Sequence, residues 1–147
     1  MLILYPNPIL RQKARKITKE EISSPEIQEL VFEMLQTMKE HDGVGLAAPQ
    51  VGKSLRLCTI KIEGGTYVLI NPKIKSKSWS KEIAEEGCLS FPGKFIPIKR
   101  SKRVKVEALD KEGRETSLKA EGLLARAFQH EIDHLDGILY IDREIKK

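Results

Sequence analysis

Apolar residues recur at helical spacing in two stretches of the chain. In residues 23–43, SSPEIQELVFEMLQTMKEHDG, Ser24 can cap a helix, Pro25 suits its first turn and Gly43 follows its end. The second stretch, GLLARAFQHEIDHLDG (residues 122–137), closes with a glycine. Both patterns predict α-helices. The apolar stripe of the first is formed by Ile27, Leu30, Val31, Met34, Leu35 and Met38.

The rest of the chain alternates between apolar and polar positions, which is typical of strands. Strand-like segments follow one another without intervening helices, and Glu63-Gly64-Gly65 predicts a hairpin. The pattern therefore predicts an α+β fold with antiparallel strands. The predicted strands are SLRLCTIKI, TYVLINP, the long polar KIKSKSWSKEIAEE, KFIPIKR, KRVKVEALD, RETSLKA and a final ILYI. GVGLAAPQ, residues 43–50, is expected to be a loop because it is rich in glycine and alanine.

Composition narrows the class of protein. A chain of 147 residues with 40% hydrophobic and 32% charged residues is expected to form one globular domain. No run approaches the roughly 18 apolar residues of a membrane span, and MLILYPNPILRQ is too short for a signal peptide. We expect a cytoplasmic protein that contacts no membrane.

The net charge of +5 raises the question of a polyanionic partner. A modest basic cluster is formed by Lys99, Arg100, Lys102, Arg103 and Lys105. No aromatic interleaving or RNA-binding motif accompanies that cluster, so it favours solvated strand faces. We therefore expect no specific nucleic-acid partner.

The motif QHEIDH in the second predicted helix is the strongest chemical signal. His130 and His134 are four residues apart, so their side chains share one helix face and can bind one cation. Glu131 lies beside that face and can reach a metal-bound water. The competing interpretations are a solvated helix face and two structurally satisfied histidines. A metal site is favoured because Leu123 and Ala127 lie on the same stripe as the histidines and indicate that they point inward.

A catalytic metal site needs a third ligand and an open position for water. Cys88, in the glycine-flanked turn EEGCLSFPG, is the best candidate. Cys58 sits in an alternating strand and is expected to be an inert core thiol, and His41 lies at the polar end of the first helix. A metal-bound water activated in this way would attack a carbonyl, with Glu131 taking its proton.

The tetrahedral intermediate of such a reaction needs hydrogen-bond donors for its oxyanion. The side-chain amide of Gln50 and the backbone N–H of Leu89 are the candidates. Val44, Leu123 and Ala127 lie beside the motifs and are expected to line an apolar pocket for the substrate side chain.

GVGLAAPQ (43–50), EGCLS (86–90) and QHEIDH (129–134), in this order and spacing, resemble the three signature motifs of the bacterial-type peptide deformylases. The resemblance extends from NPILRQKA to the last predicted strand. It implies an α+β fold in which antiparallel strands surround the motif helix. It also implies removal of the formyl group from the N-terminal formylmethionine of new polypeptides.

The same resemblance implies a role for each matched residue. Cys88, His130 and His134 would bind ferrous iron, Fe2+, which Ni2+, Co2+ or Zn2+ can replace, with Glu131 as the general acid/base. Gln50 and the Leu89 backbone would stabilise the oxyanion, and Gly45 would lie along the substrate backbone.

Some members of the family dock on the ribosome through a further C-terminal helix. This chain ends at Lys147 without room for one, so it is either a naturally short member or a truncated one. The resemblance implies ribosome association, but the sequence has no room for the C-terminal helix through which those members dock.

Two rival functions remain open at the level of the sequence. A zinc endopeptidase uses the same His-Glu-x-x-His logic, but it takes a third ligand downstream, where Glu144 is the sole glutamate. A catalytically dead metal-binding module is the other, and the presence of Glu131 argues against it.

Overall fold

The computed structural model describes residues 1–145. Within that range, short 3-10 helices cover Pro8–Arg11, Ala48–Val51 and Tyr140–Arg143. The α-helices are α1 (Lys19–Ile22), α2 (Pro25–Glu40) and α3 (Gly122–Leu135). The strands are β1 (Gly45–Ala47), β2 (Leu57–Ile62), β3 (Gly65–Lys77), β4 (Lys81–Cys88), β5 (Phe91–Ser101), β6 (Arg103–Leu109) and β7 (Glu115–Glu121).

The strands form two antiparallel sheets. Five of them pair in the order β1-β2-β3-β6-β7, and β4 pairs with β5 in a separate hairpin. Helix α3 packs against both sheets, and Phe128 and Ile132 join its buried face to the side chains of β2, β3, β6 and β7. The prediction of an α+β fold with antiparallel strands around a central motif helix is confirmed.

Helix α2 forms where its sequence predicts it. The Ser24 hydroxyl accepts a hydrogen bond from the Ile27 N–H at 3.3 Å, and Pro25 occupies the first helical position. Such a cap typically stabilises a helix by about 1 kcal/mol. The apolar stripe of α2 packs against β1 and β2 and forms a second core with Leu46 and Leu57.

Helix α3 ends in a turn that only glycine allows. Gly137 has φ of 74°, and the N–H groups of Gly137 and Ile138 donate to the carbonyls of His134 and Asp133, as in a Schellman cap. A Cβ at Gly137 would also lie 2.5 Å from the carbonyl oxygen of Arg11. The end of the motif helix is thereby fixed against the N-terminal segment.

Two of the predictions about regular structure are wrong. The stretch ILYI is not a strand: Leu139 precedes the 3-10 helix Tyr140–Arg143, because the Asp142 carboxylate accepts the Leu139 N–H at 2.9 Å and closes a turn. The stretch KIKSKSWSKEIAEE is not continuous either. It breaks at residues 78–80, so that β3 and β4 enter different sheets.

The stretch GVGLAAPQ is only partly the loop that its composition predicts. Residues 45–47 form β1, which pairs with β2, and residues 48–51 form a 3-10 helix. Backbone pairing with β2 outweighs the low strand propensity of glycine and alanine here.

Among residues 1–145, no helix is long and apolar enough to cross a membrane.

Candidate metal centre and its cavity

Cys88, His130 and His134 meet at one point. One potential ligand atom from each residue lies within 4.8 Å of the others, and Cys88 Sγ is 3.4 Å from His134 Nε2. Both histidines are buried, whereas the cysteine is half-buried. Helix α3 supplies the imidazoles and the end of β4 supplies the thiol, so the site joins the central helix to the two-stranded sheet.

The donor set fits a divalent transition metal. A thiolate and two imidazoles are borderline ligands that suit iron, nickel, cobalt or zinc, and three protein ligands leave a position open. Burial alone would lower the pKa of His130, but Glu131, Cys88 and Glu86 raise it to about 10. Burial and the neighbouring charge of His130 lower the pKa of His134, so the two imidazoles lie in different electrostatic environments.

Glu86 orients the first histidine. Its carboxylate Oε1 lies 2.8 Å from His130 Nδ1, which leaves Nε2 of that ring to face the thiol. Carboxylates in this position fix the orientation of metal-binding imidazoles and raise their basicity. Burial would raise the pKa of Glu86, yet hydrogen bonds from His130 and Arg100 hold it at about 2.

A buried ion-pair network holds Glu86 in place. Arg100 contacts its carboxylate through Nε at 2.6 Å and a terminal nitrogen at 2.9 Å, and Arg126 contacts it at 2.8 Å. Arg100 also donates to Asp133 at 2.9 Å, which in turn accepts from Arg143. The network extends from His130 to the C-terminal segment.

Glu131 lies against Gly45. A Cβ built on this glycine would be 2.5 Å from Glu131 Oε2. Any larger residue at position 45 would therefore displace the carboxylate. Oε2 is 4.0 Å from His130 Nε2, and Oε1 is buried without a partner among the described residues. Burial raises the pKa of Glu131 to about 7. The carboxyl group can therefore exchange a proton near neutral pH.

Gln50 is held in a fixed orientation. Its Oε1 accepts a hydrogen bond from the Ala47 N–H at 2.9 Å, so its amide nitrogen faces Ser90 Oγ at 3.0 Å and Cys88 Sγ at 3.6 Å. The side chain is buried, and its N–H group points toward the proposed ligands. Leu89 follows Cys88 in the chain. A Cβ built on Gly43 would lie 2.7 Å from Cδ1 of Leu89, so the Leu89 side chain packs against this glycine.

A cavity of about 670 Å³ opens onto these groups. Its lining contains Cys88, His130 and Glu131 together with every other residue predicted to contact a substrate. Those further residues are Val44, Gly45, Gln50, Leu89, Leu123 and Ala127. A volume of this size suits a short peptide end.

The prediction that Leu123 lies on a buried stripe with the histidines is wrong. Leu123 is 58% exposed and lies at the cavity rim, so it does not continue the buried stripe of Ala127, His130 and His134. The histidines are buried because β-strands cover the later turns of α3, whereas its first turn projects beyond them.

Sequence reasoning missed the residues that support the site. The sequence predicts that Arg100 belongs to a solvated basic cluster, but Arg100 is 4% exposed and pairs with Glu86 and Asp133. Glu86 stands two residues before Cys88 on the same strand, and strand alternation could have placed both on one face. Phe95, whose ring packs on Gly87, also lines the cavity.

Comparisons with known proteins show which family the chain belongs to. The model of the polypeptide deformylase family matches residues 1–147. The peptide deformylase of Dictyoglomus thermophilum is 48% identical over 141 residues, which is 96% of this chain and 90% of the relative. The peptide deformylase of Desulforudis audaxviator is 46% identical over 143 residues, which is 97% of this chain and 91% of the relative.

Solved structures extend the similarity to the fold. The crystal structure of the Thermotoga maritima peptide deformylase superimposes with a TM-score of 0.95 at 42% identity, covering 99% of this chain and 97% of that one. The crystal structure of a peptide deformylase from Synechococcus elongatus in complex with actinonin superimposes with a TM-score of 0.94 at 43% identity. The match covers 100% of this chain and 79% of that one. The chain belongs to the polypeptide deformylase family.

Proposed function

We propose that this chain performs the deformylase reaction at the centre formed by Cys88, His130 and His134, with Glu131 as the general acid/base. The reaction follows from the family: a metal-dependent hydrolase removes the N-formyl group from the N-terminal formylmethionine of new polypeptides. The observation that carries the residue assignment is the convergence of three ligand atoms within 4.8 Å beside a buried carboxyl group.

We propose Fe2+ as the native ion, with Ni2+, Co2+ or Zn2+ as replacements. The thiol of Cys88 and the imidazoles of His130 and His134 would hold the ion. When bound, it supplies Lewis-acid chemistry that makes a water molecule easier to deprotonate. Glu86 contacts Nδ1 of the His130 ring, so Nε2 would be the nitrogen available to the ion.

Glu131 would move the proton. Its pKa of about 7 suits a group that first accepts a proton from water and later returns it. Water adds to the formyl carbon, the C–N bond breaks, and the proton passes to the leaving amine. The products are formate and a peptide with a free methionine amino group.

Gln50 and the Leu89 backbone N–H would stabilise the oxyanion that forms on the formyl oxygen. The Ala47 N–H fixes the amide of Gln50, so its donor needs no reorganisation during the reaction. Removing one such donor typically lowers kcat by about 10²–10³-fold.

The cavity would admit the peptide end. Gly45 would lie along the substrate backbone, while Val44, Leu123 and Ala127 would contact the methionine side chain. We also infer that residues 1–147 act as one cytoplasmic catalytic domain on nascent chains. A contact with the ribosome is part of the same proposal.

The test is formate release from formyl-Met-Ala-Ser by the purified protein under anaerobic conditions, with metal analysis of the same sample. We expect stoichiometric formate and free Met-Ala-Ser. Cleavage of internal peptide bonds would favour an endopeptidase, and metal binding without formate release would favour an inactive metal-binding module.

A further inference from the structure

The side-chain amide of Gln50 is one member of a closed ring of hydrogen bonds. Its Nε2 donates to Ser90 Oγ at 3.0 Å, Ser90 Oγ donates to the Ile3 carbonyl at 2.7 Å, and the Ile3 N–H donates to the Gln50 carbonyl at 2.6 Å. Gln50 and Ser90 are each 1% exposed. The ring therefore joins the first residues of the chain to the proposed oxyanion donor through a single hydroxyl group.

The N-terminal segment, residues 2–5, is itself anchored at this ring. The Tyr5 N–H donates to the Ser90 carbonyl at 3.0 Å, so the segment contacts both the backbone and the side chain of Ser90. The Ile3 side chain packs against the buried cluster that includes Phe91. The Ile3 carbonyl is consequently an acceptor held in place by the packing of its own side chain.

The Ile3 carbonyl sets the direction of the Ser90 hydroxyl. A carbonyl can only accept a hydrogen bond, and a serine hydroxyl has one proton to donate. Because that proton is directed at Ile3, Ser90 Oγ can only accept from Gln50. The nitrogen of the Gln50 amide, rather than its oxygen, must therefore face Ser90. The Ala47 N–H imposes the same orientation from the other end of the amide, since it donates to Oε1 at 2.9 Å.

This arrangement leaves one amide hydrogen of Gln50 for the reaction. The amide nitrogen carries two hydrogens, and Ser90 accepts one of them. The other is directed at the metal centre, since Nε2 lies 3.6 Å from Cys88 Sγ. Without the hydroxyl, the amide would keep only the Ala47 N–H and this long contact to sulfur. The direction of the second N–H would then be much less restricted.

We propose that Ser90 is a positioning residue that holds the Gln50 amide so that one N–H meets the oxyanion as it forms. The inference rests on the proposed function, in which Gln50 stabilises that oxyanion. Within residues 1–145, the lining of the cavity includes Gln50 but not Ser90, so Ser90 acts through Gln50. Such a donor contributes because it is oriented before the charge develops, and its misorientation therefore lowers kcat rather than raising KM.

A double-mutant cycle tests this assignment in the metal-loaded protein, with formyl-Met-Ala-Ser as the substrate. Ser90→Ala should lower kcat roughly tenfold, a part of the about 10²–10³-fold effect of a whole donor, and should change KM by less than about twofold. In the Gln50→Ala background, the same substitution should change kcat by less than about twofold. An equal loss of kcat in both backgrounds would overturn the proposal, because Ser90 would then act independently of Gln50.

Matched variants separate the positioning of Gln50 from general packing. Ser101→Ala removes the hydroxyl of another buried serine, whose backbone pairs with the side chain of Gln129, and should keep kcat within about twofold of the wild type. Ser90→Thr retains the hydroxyl and should recover most of the kcat that Ser90→Ala loses. Equal losses in Ser90→Ala and Ser101→Ala would overturn the proposal. So would a Ser90→Thr protein as slow as Ser90→Ala at an unchanged melting temperature.

Metal content and the wild-type assay keep this proposal apart from the proposed function. Ser90→Ala should retain stoichiometric metal, and loss of the metal would overturn the proposal because the hydroxyl would then support the ligands instead. If the wild type releases formate and Gln50→Ala is slow while Ser90→Ala is not, only the role of Ser90 is wrong. If Gln50→Ala keeps the wild-type kcat, the assignment of the oxyanion donor fails and the role of Ser90 fails with it.

Discussion

The carboxylate of Glu131 packs directly against the backbone of Gly45: a Cβ on the glycine would lie 2.5 Å from the carboxylate Oε2. The short strand β1 and the motif helix α3 are therefore matched at the point where the proposed proton transfer occurs. The absence of a side chain at position 45 is part of the geometry of Glu131.

The first prediction follows from this contact. Gly45→Ala should displace the Glu131 carboxylate and lower kcat by at least about tenfold, while the bound metal stays stoichiometric. The control is Gly65→Ala, where the added Cβ would be 3.6 Å from Tyr67, an ordinary contact. Equal kcat values for the two variants would contradict the proposed role of this contact.

The second prediction concerns the support of His130. Glu86→Gln keeps the shape of the side chain but removes the charge that Arg100 and Arg126 share. Breaking a buried pair in this way typically destabilises a fold by about 3–5 kcal/mol, and losing a partner of a ligand histidine lowers metal affinity about 10–100-fold.

The measurements are chemical denaturation and competition with a chelator. The control is Glu112→Gln, whose partner Arg114 is exposed, and which should change the free energy of unfolding by less than about 1 kcal/mol. If Glu86→Gln unfolded like the control and kept wild-type metal affinity, the orienting role of Glu86 would be wrong.

The third prediction distinguishes the two cysteines. Cys88→Ser should lower metal affinity, because a hydroxyl is a poorer ligand than a thiolate for these metals. Cys58 is fully buried in the core beside β3 and α3, so Cys58→Ser should lower stability and leave metal stoichiometry intact. Metal content per folded protein is the measurement, and the reverse pattern would exchange the roles of the two thiols.

The fourth prediction concerns substrate choice. The formyl group is the smallest acyl group, so crowding by the 43–50 segment and the Cys88–Leu89 turn should exclude acetyl peptides. An apolar pocket discriminates side chains by only about 1–3 kcal/mol per methylene. We therefore expect kcat/KM to fall far more from formyl-Met to acetyl-Met peptides than from formyl-Met to formyl-norleucine peptides. The opposite order would refute this view of the cavity.

Much of the fold could be predicted from sequence because its signals are local. The cap at Ser24, the apolar stripe of α2 and the glycine after α3 each act within a few residues, and the structure follows them. Backbone pairing is not local. Residues 45–47 form a strand through backbone pairing with β2, whereas residues 140–143 contact β5 as a 3-10 helix.

The same division applies to the site. The spacing of His130 and His134 in the sequence predicts that they share one helix face, and the structure places Cys88 beside them. The pairing of Arg100 with Glu86 and Asp133 could not be read from the chain, since it spans two strands and a helix.

The most direct test of the account is Glu131→Gln, measured for formate release and metal content in the same sample. The amide keeps the size of the side chain but cannot accept a proton, so turnover should fall by about 10²–10⁴-fold. Metal stoichiometry should remain that of the wild type, because Cys88, His130 and His134 are unchanged. Near-normal turnover with full metal content would contradict the assignment of Glu131 as the group that moves the proton.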